Sequence, residues 1–249
     1  MGLVHLEFDE QVALIRLDDA KRRNAISPPM VDEILESFDR IESEHEIGAV
    51  VVTGAPPAFC AGAALGELAE AVRPSLSKIY DGFLRIARCP LPTIAAVNGA
   101  AIGAGLNLAL VCDLRIAARS ARFESRFLNL GLHPGGGHTW MLQQMCGTET
   151  ANAMVLFGER LSGDEAERRG LVWRCVEDDA LLDEAATLAR RVASVPRELV
   201  RRAKASLRAV TRIYEHAEAV ELELEHQAWS VKQPEFAERL AALRRKISS

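Results

Sequence analysis

The chain has 249 residues, 49% of them hydrophobic and 26% charged, which is enough to bury one large core without staples. Its net charge is −5 and its 30 Lys and Arg residues are dispersed, so no basic footprint for nucleic acid is present. Five widely spaced cysteines without a CxxC pair argue against a disulfide framework and against a zinc site; with no leader and no apolar run of about 18 residues, a soluble cytoplasmic protein without a membrane partner is expected.

Residues 4–8 and 12–17 are apolar or alternating around Asp9–Gln11 and predict a β-hairpin. The basic loop Lys21-Arg22-Arg23-Asn24 follows. Ser27 and Pro28 signal a helix start, and Val31, Ile34, Leu35, Phe38 and Ile41 fall on one face of a helix ending near His45. Residues 49–53, wholly apolar and closed by Gly54, predict a parallel strand covered on both faces. They lead to a small-residue turn at 59–65. Residues 66–88 predict helices whose apolar contributions are Ile79, Phe83, Leu84 and Ile86.

The most informative stretch is 89–113. A strand at 93–97 enters a turn at Asn98-Gly99, then the small residues 100–105, then a helical run at 106–111. The first N–H groups of a helix have no internal partner and lie at its positive end, so they can hold a developing negative charge. Gly99, Gly103, Ala104 and Gly105 let a ligand approach that backbone, or let the helix pack closely. With the turn at 59–65, the chain has two N–H clusters that could converge.

A strand at 114–118 comes next, then Phe123-Glu124-Ser125-Arg126-Phe127 and the glycine-rich turn 131–137. Helices are predicted at 138–146 and 149–157, a capping box opens a short helix at Ser162-Gly163-Asp164-Glu165, and a strand follows at 171–176. From about residue 180 onward the pattern is helical, with segments at 180–194, 196–210, 211–230 and 234–247.

Three chemistries are set aside by spacing. After Gly103 and Gly105 the third glycine of GxGxxG would fall at Leu108, so no dinucleotide fingerprint is present. No G-x-S-x-G nucleophile elbow occurs. His133 and His138, flanking Pro-Gly-Gly-Gly, suit neither a helical metal pair nor HExxH.

Five ordered blocks carry a resemblance: Asn24-Ala25-Ile26-Ser27, VVVTG…AFCAGAAL (50–65), LPTIAAVNGAAIGAGLNLALVCDLRIA (91–117), LGLHPGGG (130–137) and GERLSGDEAERRGLV (158–172). In order and spacing the chain resembles the enoyl-CoA hydratase/isomerase (crotonase) superfamily along nearly its whole length. The resemblance implies an α/β fold, a spiral of β-β-α turns over residues 1–192, and a C-terminal helical region (193–249) that forms a homotrimer or a dimer of trimers. It implies an acyl-CoA ligand, with coenzyme A as part of the substrate and no other cofactor or metal, and an enzyme of lyase or isomerase type in fatty acid metabolism.

By the same resemblance, the backbone N–H groups of Ala63 and Ala104 would hold the thioester oxygen. Lys21, Arg22, Arg23, Ala25 and Ala61 match the CoA-binding positions, and Lys246 would reach a neighbouring subunit's CoA. The two glutamates of the hydratases fall at Asn107 and Phe127, neither of which transfers a proton, and Ala64 stands where an aspartate is common. Ordinary hydration is therefore in doubt, and two readings follow. In one, an oxyanion-stabilised reaction uses His133 for proton transfer, because imidazole changes charge near neutral pH, with Asn107 bonding a water or a substrate carbonyl. In the other, the protein is a non-catalytic acyl-CoA binder or carrier. Glu124 and Arg126 either line the site or face solvent, and the apolar lining is expected from 66–88 with Phe127 and Trp140.

Overall fold

The computed structural model describes residues 2–64, 66 and 73–247. The predicted hairpin is β1 (Val4–Asp9) paired antiparallel with β2 (Val12–Leu17), and α1 (Pro28–Ser43) follows it. Ser27 occupies the N-cap of α1 without a capping hydrogen bond, and Pro28 and Pro29 remove two N–H groups from the first turn. Three successive units then repeat one pattern. β3 (Ala49–Gly54) leads to β4 (Ala58–Cys60) and α2 (Arg73–Arg88). β5 (Thr93–Val97) leads to β6 (Ala100–Ile102) and α3 (Ala104–Leu110), and β7 (Leu114–Ala118) leads to β8 (Arg122–Glu124) and α4 (His138–Leu156), which kinks at Gly147. After β9 (Arg160–Ser162), α5 (Gly163–Arg168) and β10 (Arg174–Val176), the chain ends in α6 (Leu181–Ala193), α7 (Arg197–Ala209), α8 (His216–Ser230) and α9 (Pro234–Ile247).

The strands form two sheets, one ordered β1-β2-β3-β5-β7-β10 and the other β4-β6-β8-β9. Each unit thus gives its first strand to the large sheet and its second to the small one, which is the β-β-α spiral expected. Period-two alternation divides the large sheet's side chains between two cores. Ile15, Val50, Val52, Ala95 and Val97 pack toward the small sheet, α1, α2 and α3. Val12, Val51, Ile94, Ala96 and Ile116 face α6, which presents Leu181, Ala185, Ala189 and Ala193 at every fourth position. Small residues on that stripe let the helix lie close to the sheet.

The short strands of the second sheet are absent from the sequence reading, and two boundaries differ from it. The strand at 93–97 turns into β6 before the helix, because residues 100–102 pair with β4 and β8. β9 is a three-residue strand that periodicity is too short to reveal. The strand expected at 171–176 begins only at Arg174, and residues 210–212 form a separate 3-10 turn before α8. The capping box at Ser162 and Glu165 is present with both reciprocal hydrogen bonds.

Lys204 is the only buried side chain among the described residues of α7, α8 and α9. Its ammonium donates to the Leu91 carbonyl and pairs with Asp113, while Asp113 also accepts from the N–H and hydroxyl of Thr93. One buried cation thereby fastens α7 to the start of β5.

Candidate functional site

The two glycine-rich turns meet where β4 and β6 end. A Cβ on Gly105 would lie 2.1 Å from the Cys60 carbonyl oxygen, and one on Gly62 would lie 2.9 Å from the Ile102 oxygen and 3.9 Å from the Ala104 nitrogen. Of the two roles open to these glycines, Gly105 serves close packing. Gly103, at φ 53° and ψ −116°, serves the turn itself by aiming the first N–H groups of α3 back toward residues 61–63. The N–H groups of Ala61, Ala64 and Asn107 donate to the carbonyls of Arg23, Ile26 and Gly103. Among the described residues, the N–H groups of Ala63 and Ala104 have no such acceptor.

Both alanines line a mostly apolar cavity of about 320 Å³. Its walls come from α2 (Leu76, Ile79, Tyr80), from Ser125, Arg126 and Phe127 after β8, and from the turn containing His133. The segment expected to supply lining therefore does so from residue 76 onward, whereas residues 65 and 67–72 lie outside the described residues. Trp140 is not part of the wall. It sits on the outer face of α4, 64% exposed, because that helix turns His138, Met141 and Leu142 inward instead.

The other expected residues are placed as follows. His133 lines the cavity beside open surface, with Nδ1 2.7 Å from the Pro134 carbonyl oxygen. Lys21, Arg22 and Arg23 are exposed and stand outside the wall, on a 3-10 turn linked to it by the Ala61 N–H to Arg23 carbonyl bond. The N–H of Ala25 donates to the Arg22 carbonyl, and among the described residues the carbonyls of Ala25 and Ala61 accept no backbone hydrogen bond. Lys246 lies in the last turn of α9, away from the cavity. Glu124 does not face solvent: it is 4% exposed and bound by Arg126 and Arg160. The Arg126 hydrogen bond, above all, holds its carboxyl below the usual range. Arg126 reaches the cavity with its charge already compensated by that carboxylate.

Asn107 and Phe127 hold positions beside the second turn, and their contacts correct one expectation. The Asn107 amide is committed within the protein rather than free for water or a substrate carbonyl. Nδ2 donates to the Gly135 carbonyl at 2.9 Å, and Oδ1 lies 2.7 Å from Nδ1 of His138. Since the Gly135 carbonyl can only accept, the amide oxygen must face His138, whose Nδ1 must then carry the proton. Nε2 keeps its lone pair 2.9 Å from the hydroxyl of Ser125, and the Phe127 ring packs edge-on against the imidazole at 4.9 Å. Burial pushes the His138 pKa down to about 4, which keeps the ring neutral.

Sequence reasoning weighed His138 only as a metal ligand and gave Ser125 no role. The available signal was that their two blocks border one turn. The cysteines offer no competing nucleophile. Cys60, beneath the first turn, and Cys112 are fully buried and pushed up to about 12 by that burial.

The enoyl-CoA hydratase/isomerase family pattern matches residues 7–246. A protein of Mycobacterium tuberculosis named as a probable enoyl-CoA hydratase is 48% identical over 248 residues, covering 96% of each chain. The 1,2-epoxyphenylacetyl-CoA isomerase of Escherichia coli is 35% identical over 204 residues, 79% of this chain and 78% of its own. The crystal structure of an enoyl-CoA hydratase from Bacillus anthracis superposes with a TM-score of 0.93 at 29% identity, covering 98% of this chain and 97% of that one.

Proposed function

The chain belongs to the enoyl-CoA hydratase/isomerase family, and on that premise we propose that it is an acyl-CoA enzyme whose substrate places its thioester oxygen between the N–H groups of Ala63 and Ala104. The observation that carries this reading is the pair of N–H groups, unpartnered among the described residues, on two residues that line one apolar cavity. Donors fixed in that way stabilise an enolate or tetrahedral oxyanion without reorganising, by about 3–4 kcal/mol each. The CoA portion runs past the 20–23 turn, where Lys21, Arg22 and Arg23 offer cations to phosphate and Ala25 and Ala61 offer carbonyls. Lys246 reaches the CoA of a neighbouring copy, in a trimer or dimer of trimers built through α8 and α9.

Hydration by paired carboxylates is not the reaction inferred, since no carboxylate lines the cavity among the described residues. His133 is the wall residue suited to moving a proton at the acyl chain. The same absence of carboxylates favours a second reading, a non-catalytic acyl-CoA binder.

A panel of 2-enoyl-, 3-hydroxyacyl- and dicarboxyl-CoA thioesters tests both readings. Ala104 is the first residue of α3, where proline is tolerated and its missing N–H breaks no internal bond. Ala104→Pro should therefore keep the fold and lower turnover by about 10²–10³-fold, and His133→Ala should lower it as well. Binding with no turnover on any thioester selects the binder, and failure of every thioester to bind overturns both readings.

A further inference from the structure

Ser125, His138 and Asn107 form a continuous hydrogen-bonded relay whose serine is part of the cavity wall. The relay is oriented throughout. The Gly135 carbonyl fixes the Asn107 amide, the amide oxygen fixes the proton on Nδ1, and Nε2 is left to accept from the Ser125 hydroxyl. These are the relations by which a serine is activated: a base within reach of the hydroxyl and a third group holding the base in the required tautomer.

Three further observations separate this arrangement from a merely satisfied buried histidine. The first is position. β6 and β8 run parallel with Ile102 opposite Glu124, and the Gly103 N–H donates to the Glu124 carbonyl, so Ser125 stands across from the turn that exposes the Ala104 N–H. Ala63, the second donor, follows β4 on the other side of β6, so Ser125 and the two N–H donors follow three adjacent strands of the small sheet.

The second is backbone conformation. Arg126, directly after Ser125, has φ 56° in a three-residue turn closed by the Phe127 N–H to Ser125 carbonyl bond at 2.8 Å. A non-glycine residue rarely adopts that conformation, and here the Arg126 side chain is clamped to Glu124. The third is placement. Ser125, itself 1% exposed, belongs to the cavity wall, whereas His138 and Asn107 do not, and the Phe127 ring of that wall packs against His138.

We propose that Ser125 is a nucleophile, with His138 as its base and Asn107 as the positioning residue, and that the protein hydrolyses acyl-CoA thioesters through an acyl-serine intermediate. The inference rests on the acyl-CoA reading above and adds an activity to it. In the first half-reaction the Ser125 oxygen attacks the thioester carbon while His138 Nε2 takes the hydroxyl proton. The carbon–sulfur bond then breaks, and the sulfur leaves with that proton as free CoA. In the second half, water attacks the acyl ester, His138 takes a proton from it, and the Ser125 oxygen departs and recovers that proton. One thioester and one water become one carboxylic acid and one CoA thiol.

The intact protein is incubated with butyryl-CoA, and thiol release is followed alongside the mass of the Ser125 peptide after an acid quench. A butyryl adduct on that peptide is expected, with thiol release falling at least about 100-fold in Ser125→Ala and His138→Gln. Asn107→Asp tests positioning: a carboxylate beside the imidazole favours its charged form, so the acid limb of the pH–rate profile should move upward. A role that is only structural would lower the rate without moving the limb. A fluorophosphonate probe needs no CoA recognition and should label Ser125 in wild type and not in Ser125→Ala. If thioesters fail to bind, the acyl-CoA reading falls and probe labelling still decides the nucleophile. Absence of labelling at Ser125, or thiol release unchanged in Ser125→Ala, overturns the proposal.

Discussion

Acidification should weaken the fold through His138 before the carboxylates respond. The ring is buried with a pKa of about 4, against about 6.5 when exposed, and desolvation is the cause of the depression. Between those values the unfolded chain binds a proton that the folded protein refuses, so stability is full above about pH 6.5 and is lost as pH falls toward 4. At 1.36 kcal/mol per pH unit the complete loss is roughly 3 kcal/mol, and about 2 kcal/mol of it is gone by pH 5. His138→Gln stays uncharged and keeps one donor and one acceptor. It loses some packing against Phe127, but that cost is independent of pH. Urea unfolding of both proteins at pH 7 and pH 5 isolates the effect as a difference of differences. The wild type should lose about 2 kcal/mol more than the variant over that interval. Equal losses in the two proteins would show that His138 is not the neutral, desolvated group described above, and the tautomer argument would fall with it.

Two further substitutions probe the framework of the site. Gly105→Ala places a Cβ 2.1 Å from the Cys60 carbonyl oxygen, a backbone atom that cannot rotate away. It should cost about 1–3 kcal/mol in urea unfolding and lower turnover by parting Ala63 from Ala104; unchanged stability would contradict the close contact between the turns. Lys204→Met removes a buried cation from the half-exposed Asp113 and from the Leu91 carbonyl, and should cost about 1–2 kcal/mol. Hydrogen exchange should then quicken over residues 197–209 while the cavity wall stays protected, and unchanged exchange there would show that this ion pair does not hold α7 in place.

The strands of the large sheet were legible because burial on both faces writes an unbroken apolar run. Thr93–Val97 and Leu114–Ala118 agree with expectation to the residue. The second sheet was not, because β4, β6, β8 and β9 have three residues each and no measurable period. That omission mattered for the site: the pairing of β6 with β8 sets Ser125 opposite the second turn, and no local pattern announces it. The two glycine-rich turns could be read as N–H clusters, yet their convergence depends on contacts between residues some forty apart. Asn24 belongs to the same class. Its block was read as the beginning of a CoA site, and its side chain is buried, accepting from the Asp19 N–H and donating to the carbonyls of Ala55 and Ala58, so it braces the approach to the first turn.

Asparagine at position 107 bears on the electrostatics of the described wall, not on one proton transfer alone. A carboxylate there would lie against His138 and favour the imidazolium, producing a charged pair behind the cavity. The neutral amide instead fixes a tautomer and adds no charge, and Phe127 adds an apolar ring to the wall. Arg126, the charged side chain on the described wall, is already balanced by Glu124. Negative charge forming on a thioester oxygen would then meet no carboxylate among the described residues of the wall, a condition that favours stabilisation by two fixed N–H dipoles. The described wall suits the proposed reactions, enolate formation and acyl transfer, in which charge develops at the carbonyl oxygen.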